Sequence, residues 1–279
     1  MISSVSRTSR AKTFLRPVRQ GRSVSLDDEA ADPPDDVPDR DELKKRIEKQ
    51  LERITVIQNR LYGEGKQALL VILQGRDTCG KDSTIRRVFG AVNPEGCEVT
   101  SFKTPSDVEQ RHDFLWRVHQ RVPPHGIIGI FNRSHYEDVL IVRVRELVPA
   151  AVWRKRFDLI NDFERKLSEN RVTILKFLLH ISREEQATRL RERLEDPEKN
   201  WKFRAGDLAE RSRWDEYTTA YTDMISKCST PWAPWYIVPA NKKLARDYFI
   251  SDVVLRTLQA MRPRLPVADK DVLAYRGKI

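Results

Sequence analysis

The sequence has no apolar run long enough to span a membrane, and it has few cysteines. The longest apolar stretch, residues 174–181, is interrupted by Lys176 and His180, whereas a transmembrane helix needs about 20 predominantly apolar residues. Only three cysteines are present, an odd number without metal-ligand spacing. A membrane protein, a cysteine-ligated metal site and a disulfide framework are therefore not expected, and a reducing, cytoplasmic location is predicted.

The composition is that of a basic globular protein. The 279 residues include 51 Lys and Arg against 41 Asp and Glu, so the formal net charge is +10, and 39% of the residues are apolar. This supplies enough apolar side chains for one or two domains with a sizeable core. An excess of positive charge favours polyanionic partners, which include nucleic acid, anionic lipid and phosphate-rich small molecules.

The first 42 residues differ from the rest of the chain. Residues 1–25 hold six basic residues and no acid, residues 26–42 hold nine acids and one Arg, and neither stretch has hydrophobic periodicity. Such a segment buries too little apolar surface to offset its ordering entropy, so residues 1–42 are predicted to be a disordered tail. An organellar transit peptide and a basic nucleic-acid arm are alternatives for its basic start. The tail has a net charge of −2, so residues 43–279, the predicted folded domain, carry +12.

Beyond an amphipathic helix predicted over residues 43–61, short apolar runs alternate with helical stretches. This alternation predicts βαβ units, and therefore an α/β fold with a mostly parallel five-stranded sheet covered by helices on both faces. The predicted strands are 68–73, 97–102, 126–131, 172–180 and 235–238, and the predicted helices are 106–121, 137–146, 152–170 and 244–261, one from about 83, one from 182 and one that ends near 226.

Residues 75–81, which we call the phosphate loop, match G-x-x-x-x-G-K between the first strand and a helix. Gly75 and Gly80 allow backbone N–H groups to face an anion, the helix N-terminus adds its dipole, and Lys81 can reach phosphates. Asp82 replaces the Ser or Thr that binds Mg²⁺ in ordinary nucleotide hydrolases, and Asp77 is a candidate to bind the metal instead. A chance glycine turn is the alternative.

Residues 132–138, which we call the second loop, follow the third predicted strand. Ligands in open α/β sheets bind beyond the carboxyl ends of the strands, so this loop is expected to face the same crevice as the phosphate loop. Arg133 is a candidate to clamp a phosphoryl group, and Asp138 or Glu137 a candidate to bind metal or orient the acceptor. The alternative is that both acids simply favour the start of a helix.

An Arg- and Lys-rich stretch lies between the fourth and fifth predicted strands. Arg189 and Arg193 share a helical face, and Lys199 and Lys202 flank Trp201. A charged insertion at this position is typical of a kinase lid, which excludes water and brings cations to the transferring group. Surface i,i+4 pairs are the alternative for single residues.

These motifs resemble those of the family-2 polyphosphate kinases, which are polyphosphate:nucleotide phosphotransferases. The resemblance covers residues from about 43 to 262. It includes residues 75–77, 80–82, 131–140 (FNRSHYEDVL), 196–197, 201–203 and 233–241 (APWYIVPAN). The Asn132 form of the second loop resembles the class III branch, which is associated with phosphorylation of both AMP and ADP.

The resemblance implies a P-loop kinase-like three-layer α/β/α fold with a helical lid over about residues 183–215, and Mg²⁺ as the cofactor. It implies that Asp77 organises Mg²⁺, that Lys81 holds the terminal phosphates, and that Asp138 polarises the acceptor or binds a second Mg²⁺. Arg133 is the fourth predicted catalytic residue. The predicted phosphate-binding residues are Gly75, Arg76, Gly80, Lys81, Asp82, Ser83, Asn132, Arg189, Arg193, Lys199 and Lys202.

The predicted function is transfer of the terminal phosphoryl group of polyphosphate to AMP, ADP or both. A homodimer or homotetramer is also implied, and neither nucleic acid nor a membrane is expected as a partner. An ATP-dependent nucleoside monophosphate kinase would share the loop, the fold and the lid, and a nucleic-acid-binding module would use the same basic surface.

Overall fold

In the computed structural model, which describes residues 15–268, 272, 275 and 278, five parallel strands form one sheet. The strand order is β2-β3-β1-β4-β5, and every neighbouring pair is parallel. The strands are β1 (Ala68–Gln74), β2 (Cys97–Ser101), β3 (Ile128–Asn132), β4 (Val172–His180) and β5 (Trp235–Pro239). All seven residues of β1 are buried, as a central strand covered on both faces requires.

Ten α-helices connect or flank these strands within the described part of the chain. They are α1 (Arg40–Glu64), α2 (Lys81–Phe89), α3 (Asp107–Gln110), α4 (Trp116–His119), α5 (Ile141–Val144), α6 (Ala150–Glu169), α7 (Arg183–Glu195), α8 (Ala205–Ser212), α9 (Trp214–Cys228) and α10 (Lys243–Met261). One hydrophobic cluster joins the sheet to α1, α2 and α10, and a second joins it to α6 and α9. The predicted three-layer α/β/α fold is confirmed.

Two predicted helices differ from the structure. The region predicted as helix 106–121 contains the two short helices α3 and α4, because Asp113 Oδ1 accepts from the backbone N–H of Leu115 (2.9 Å) and turns the chain between them. The region predicted as helix 137–146 overlaps the end of a 3₁₀ helix, His135–Asp138, and contains the single turn α5.

The prediction of a disordered tail over residues 1–42 is wrong for residues 15–42; residues 1–14 lie outside the described residues. The backbone N–H of Val18 donates to the Trp235 carbonyl (2.8 Å), and Asn241 N–H donates to the Ala31 carbonyl (3.1 Å). Leu26 is buried against the core. These backbone hydrogen bonds depend on no hydrophobic pattern, which is why composition did not reveal them.

The structure also describes the state of the cysteines and the apolarity of the helices. Cys79, Cys97 and Cys228 are all free thiols. Among the described residues, no helix combines the length and apolarity needed to cross a membrane.

Candidate active site

The phosphate loop joins the carboxyl end of β1 to the first turn of α2. Gly75 (φ +148°), Thr78 (φ +66°) and Gly80 (φ +104°) have positive φ values, which curl the backbone toward the N-terminus of α2. Gly75 has no room for a side chain, since a Cβ there would lie 2.6 Å from the Leu179 carbonyl oxygen. The strand–loop–helix geometry required for an anion site is therefore present.

The side chain of Lys81 lies inside this curl. Its side chain is buried, and Nζ donates to the carbonyl oxygens of Gly75 (2.7 Å) and Arg76 (3.2 Å). The Lys81 ammonium therefore lies next to the space that the loop encloses. A phosphate bound there can accept the hydrogen bonds that the two carbonyls accept in this structure.

The register of the sheet brings the second loop against the phosphate loop. Leu73 of β1 pairs with Asn132 of β3, so the two loops leave the sheet side by side. Arg133 Nη2 contacts Asp77 Oδ1 at 2.9 Å, and Asn132 Nδ2 donates to Asp82 Oδ1 at 2.6 Å. Four residues predicted from separate motifs therefore form one site.

Two acids of the second loop have different environments. Burial raises the pKa of Glu137, and this is partly opposed by its electrostatic interactions with Arg133 and Lys81 of the site. Asp138 instead points to Arg156, whose Nη1 lies 2.9 Å from Asp138 Oδ1. Burial raises the pKa of Asp138 to about 6, against the opposing effect of Arg156.

This geometry does not support Asp138 as a catalytic residue or a metal ligand, because its carboxylate is occupied by Arg156 in a buried ion pair. Glu137, the other candidate in the sequence, instead interacts electrostatically with Arg133, Lys81 and Asp77 of the site. Adjacent residues of a 3₁₀ helix point in different directions, and the sequence alone did not show which of the two faces the crevice.

The carboxylates present suit a hard divalent cation that shares its coordination with substrate. The carboxylate of Asp77 disfavours the negative charge of Glu137, and a bound cation would relieve this repulsion. No cluster of three or more His, Cys, Asp or Glu side chains among the described residues is arranged to hold a metal alone. Mg²⁺ commonly uses one or two carboxylates and completes its shell with phosphate oxygens and water.

The Arg133 guanidinium provides a constant positive charge at this site. Burial lowers its pKa, but Glu137 and Asp77 more than offset this effect, so the pKa of Arg133 lies above its ordinary value. The side chain remains half-buried rather than enclosed, and it can exchange Asp77 for a phosphate oxygen.

The phosphate loop is attached to α9 through Arg76. Its guanidinium lies over the indole of Trp214, with Cζ 3.7 Å from the ring centroid, and Nη2 donates to the Trp214 carbonyl (2.9 Å) and to Thr218 Oγ1 (2.5 Å). Arg76 was predicted to bind phosphate; its observed contacts connect the loop to α9. No sequence motif singled out Trp214.

Arg189 differs most from its predicted role as a phosphate ligand of the lid. Its guanidinium is buried and donates to the carbonyl of Thr78 (3.0 Å) and to the carbonyls of Ala240 (2.8 Å) and Asn241 (2.9 Å), while Nε contacts Glu185 (2.8 Å). Each of its three guanidinium nitrogens donates to a group of the protein. Arg189 therefore supports the phosphate loop from behind and is not a phosphate ligand in this geometry.

The other predicted lid cations are more exposed. Arg193 pairs with Asp207 of α8 (3.5 Å), Lys199 pairs with Asp196 (2.5 Å), and Lys202 lies 5.0 Å from the ring centroid of Trp201. These contacts are weak enough in solvent for a polyanion to replace them. Their role as phosphate ligands stays a prediction.

Helix α10 contributes a residue that the sequence analysis missed. Arg246, almost completely buried, donates to the Cys79 carbonyl (3.3 Å) and to Ser83 Oγ (3.2 Å), and it is paired with Asp247 (2.8 Å). Ser83, predicted to bind phosphate, also donates to the Gly80 carbonyl (2.9 Å). An adjacent Arg-Asp pair within an apolar helix was the available signal, because buried charges need a partner.

Known proteins resemble this chain over most of its length. The family model described as Polyphosphate kinase 2 matches residues 37–266. The chain is 51% identical over 224 residues to an AMP/ADP-polyphosphate phosphotransferase of Meiothermus ruber, covering 80% of this chain and 81% of the relative. It is 44% identical over 229 residues to an ADP-polyphosphate phosphotransferase of Rhodopseudomonas palustris, covering 78% and 79%. A crystal structure of polyphosphate kinase 2 from Arthrobacter aurescens TC1 superposes with a TM-score of 0.90 at 41% identity, covering 96% and 98%.

Proposed function

Because this chain belongs to the polyphosphate kinase 2 family, we propose that it transfers the terminal phosphoryl group of inorganic polyphosphate to AMP and to ADP. The observation that carries the proposal is the meeting of the two loops, with Lys81 inside the phosphate loop and Arg133 beside Asp77. The names of the two relatives, an AMP/ADP- and an ADP-polyphosphate phosphotransferase, support the choice of donor and acceptor.

In the proposed reaction, the phosphate loop and Lys81 bind the terminal phosphates of the donor. Arg133 stands at the junction of the loops, where its guanidinium stabilises negative charge on the transferring group. The acceptor enters at the carboxyl ends of β1 and β3, so that its phosphate oxygen attacks in line while the bridging oxygen of the donor leaves with the shortened chain. The protein supplies positioning and charge and forms no covalent intermediate.

Asp77 and Glu137 are the residues that would hold a divalent cation, for which we propose Mg²⁺. When bound, such an ion neutralises phosphate charge and orients the donor. Asp82 accepts the hydrogen bond of Asn132, which ties α2 to the second loop, so it holds the two loops together.

The positive charge of the folded domain matches this donor. A phosphate chain carries about one negative charge per unit, and Arg193, Lys199 and Lys202 continue the basic surface beyond the two loops. The predicted homo-oligomer, the cytoplasmic location and the absence of nucleic-acid partners stay predictions.

The test is to incubate the protein with polyphosphate, Mg²⁺ and either AMP or ADP, and to separate the nucleotides. We expect ADP and ATP to form only when polyphosphate is present. Formation of ADP from ATP and AMP without polyphosphate would favour a nucleoside monophosphate kinase. Lys81→Met should abolish turnover, whereas Lys66→Met, which removes an exposed charge outside the site, should not change it.

A further inference from the structure

Two opposite charges lie in the middle of the core, beneath the second loop. Lys176 on β4 and Glu164 on α6 are both completely buried, and Lys176 Nζ lies 2.5 Å from Glu164 Oε2. Removal of two charges from water is costly, and apolar residues of similar volume would fill the same space at no such cost. The pair therefore needs an explanation other than packing.

The partners of this pair come from the second loop. The Tyr136 hydroxyl accepts a hydrogen bond from Lys176 Nζ (2.6 Å) and donates to Glu164 Oε1 (2.9 Å), and His135 Nε2 contacts the same carboxylate oxygen (3.2 Å). Lys176 makes a third hydrogen bond, to the Cys228 carbonyl (2.7 Å). Burial lowers the pKa of His135, and its hydrogen bond to Glu164 opposes this effect.

The second loop thus has two sides: one is anchored in the core, and the other contributes residues to the site. His135 and Tyr136 point into the core, while Arg133 and Glu137, which precede and follow them, belong to the site. The chain enters the 3₁₀ helix His135–Asp138 through Arg133, whose φ of +62° is unfavourable for a residue other than glycine. Side-chain anchors are therefore required to fix the direction of Arg133 and Glu137.

We propose that Lys176 and Glu164 are positioning residues for phosphoryl transfer, which hold Arg133 and Glu137 in place through Tyr136 and His135. This inference rests on the proposed function and adds to it residues that touch neither substrate nor metal. Their effect is expected on kcat rather than on the KM for polyphosphate, because the donor is bound by the phosphate loop and the lid cations. A displacement of about 1 Å at such a site can cost about 10²-fold in rate.

The first variant to test is Tyr136→Phe, which keeps the ion pair and removes only the hydroxyl that joins it to the loop. Tyr236→Phe is the matched control, because Tyr236 is a buried tyrosine of β5 on the opposite face of the sheet. The second variant is the double substitution Lys176→Met with Glu164→Gln, which removes both charges together and so leaves neither one buried alone.

Each variant is measured for its melting temperature, for kcat and KM with polyphosphate and AMP, and for amide hydrogen exchange over residues 132–138. We expect Tyr136→Phe to lower kcat about tenfold and the double variant about 10²-fold. KM for polyphosphate should stay close to that of the wild type, and exchange over residues 132–138 should become faster. Tyr236→Phe should change neither kcat nor this exchange.

A folded Tyr136→Phe variant with the kcat of the wild type would overturn the proposal, and this result decides even if the double variant fails to fold. An equal fall in kcat for Tyr236→Phe would overturn it as well, because it would indicate a general loss of core packing. If the wild-type protein transfers no phosphate from polyphosphate, the proposed function fails instead. Hydrogen exchange over residues 132–138 then decides alone whether the pair holds the loop.

Discussion

The guanidinium of Arg246 occupies the space that a side chain at Gly80 would need. A Cβ on Gly80 would lie 1.9 Å from Arg246 Nη1, and Gly80 also has a φ of +104°. The same guanidinium donates to the Cys79 carbonyl and to Ser83 Oγ. Glycine is therefore favoured at position 80 for two reasons. A residue with a side chain rarely adopts this backbone conformation, and the Arg246 guanidinium occupies the space that a Cβ would need.

We expect Gly80→Ala to lower kcat with polyphosphate and AMP by about 10²-fold or more, because the loop or Arg246 must move. The control is Gly206→Ala: no atom lies within 4 Å of a Cβ at Gly206, which belongs to α8, and alanine favours a helix. Turnover and melting temperature should be measured for both. Equal activity of the two variants would contradict the role of Arg246 behind the loop.

Arg189 and Arg193 stand one helical turn apart on α7 but should differ in function. Arg189→Met removes hydrogen bonds to the Thr78, Ala240 and Asn241 carbonyls, so we expect a loss of about 3 kcal/mol in the free energy of unfolding together with low kcat. Arg193→Met should cost less than about 1 kcal/mol and should raise the KM for polyphosphate. Urea denaturation and steady-state kinetics distinguish the two. A raised KM in a fully stable Arg189→Met variant would restore it as a phosphate ligand.

The predictable part of this molecule is the part with a repeating or local signal. Apolar runs such as residues 172–180 predicted the strands, and the glycine spacing of residues 75–81 placed the anion site, because both depend on neighbours in the sequence. The roles of Arg189 and Arg246 depend on which distant carbonyl each guanidinium meets, over separations of 111 and 167 residues. Residue type alone does not distinguish a buried support from a ligand.

The ordered structure of the N-terminal segment could not be predicted from the sequence for the same reason. Residues 15–31 have little hydrophobic periodicity, yet the Asp27 carbonyl contacts His180 Nε2 (2.6 Å) and Asp28 Oδ1 accepts from Arg183 N–H (3.0 Å) at the start of α7. Order here comes from an unpaired sheet edge and an exposed helix start, which offer hydrogen bonds to any adjacent chain. The composition of a segment does not show which hydrogen-bonding groups elsewhere in the fold are available to it.

We expect Leu26→Ala to lower the free energy of unfolding by about 2 to 4 kcal/mol, because Leu26 is only 7% exposed and packs into the core. Leu147→Ala, the matched control, removes the same atoms from a side chain that is 61% exposed, and should cost about 0.5 kcal/mol or less. Urea denaturation measures both values. If Leu26→Ala were as harmless as its control, residues 15–42 would not be part of the folded domain.

Glu137 and Asp138 provide a direct comparison of neighbouring acids. Glu137→Gln removes a carboxylate beside Asp77, Arg133 and Lys81, so we expect kcat to fall by about 10²-fold or more and the requirement for Mg²⁺ to rise. Asp138→Asn keeps an acceptor for Arg156, and kcat should fall much less. Initial rates over a Mg²⁺ titration test both. A larger fall in kcat with Asp138→Asn than with Glu137→Gln would instead support Asp138, as predicted from the sequence, as the catalytic carboxylate.

The stability of the protein should depend on pH through Asp138. Burial raises the pKa of Asp138 from 3.8 to about 6 in the folded state, although Arg156 opposes this effect. The folded protein therefore holds this proton more tightly than the unfolded chain does. The stabilisation is fully present below about pH 4, and it is lost as the pH rises through about 6.

This shift corresponds to about 3 kcal/mol at most. Asp138→Asn cannot titrate, so its free energy of unfolding relative to that of the wild type should increase between pH 4 and pH 7 by up to about this amount. Urea denaturation of both proteins at several pH values isolates the contribution, since groups distant from Asp138 titrate in the same way in the two. A constant difference across this range would mean that the Arg156 ion pair keeps Asp138 ionised throughout, and that burial does not control its charge.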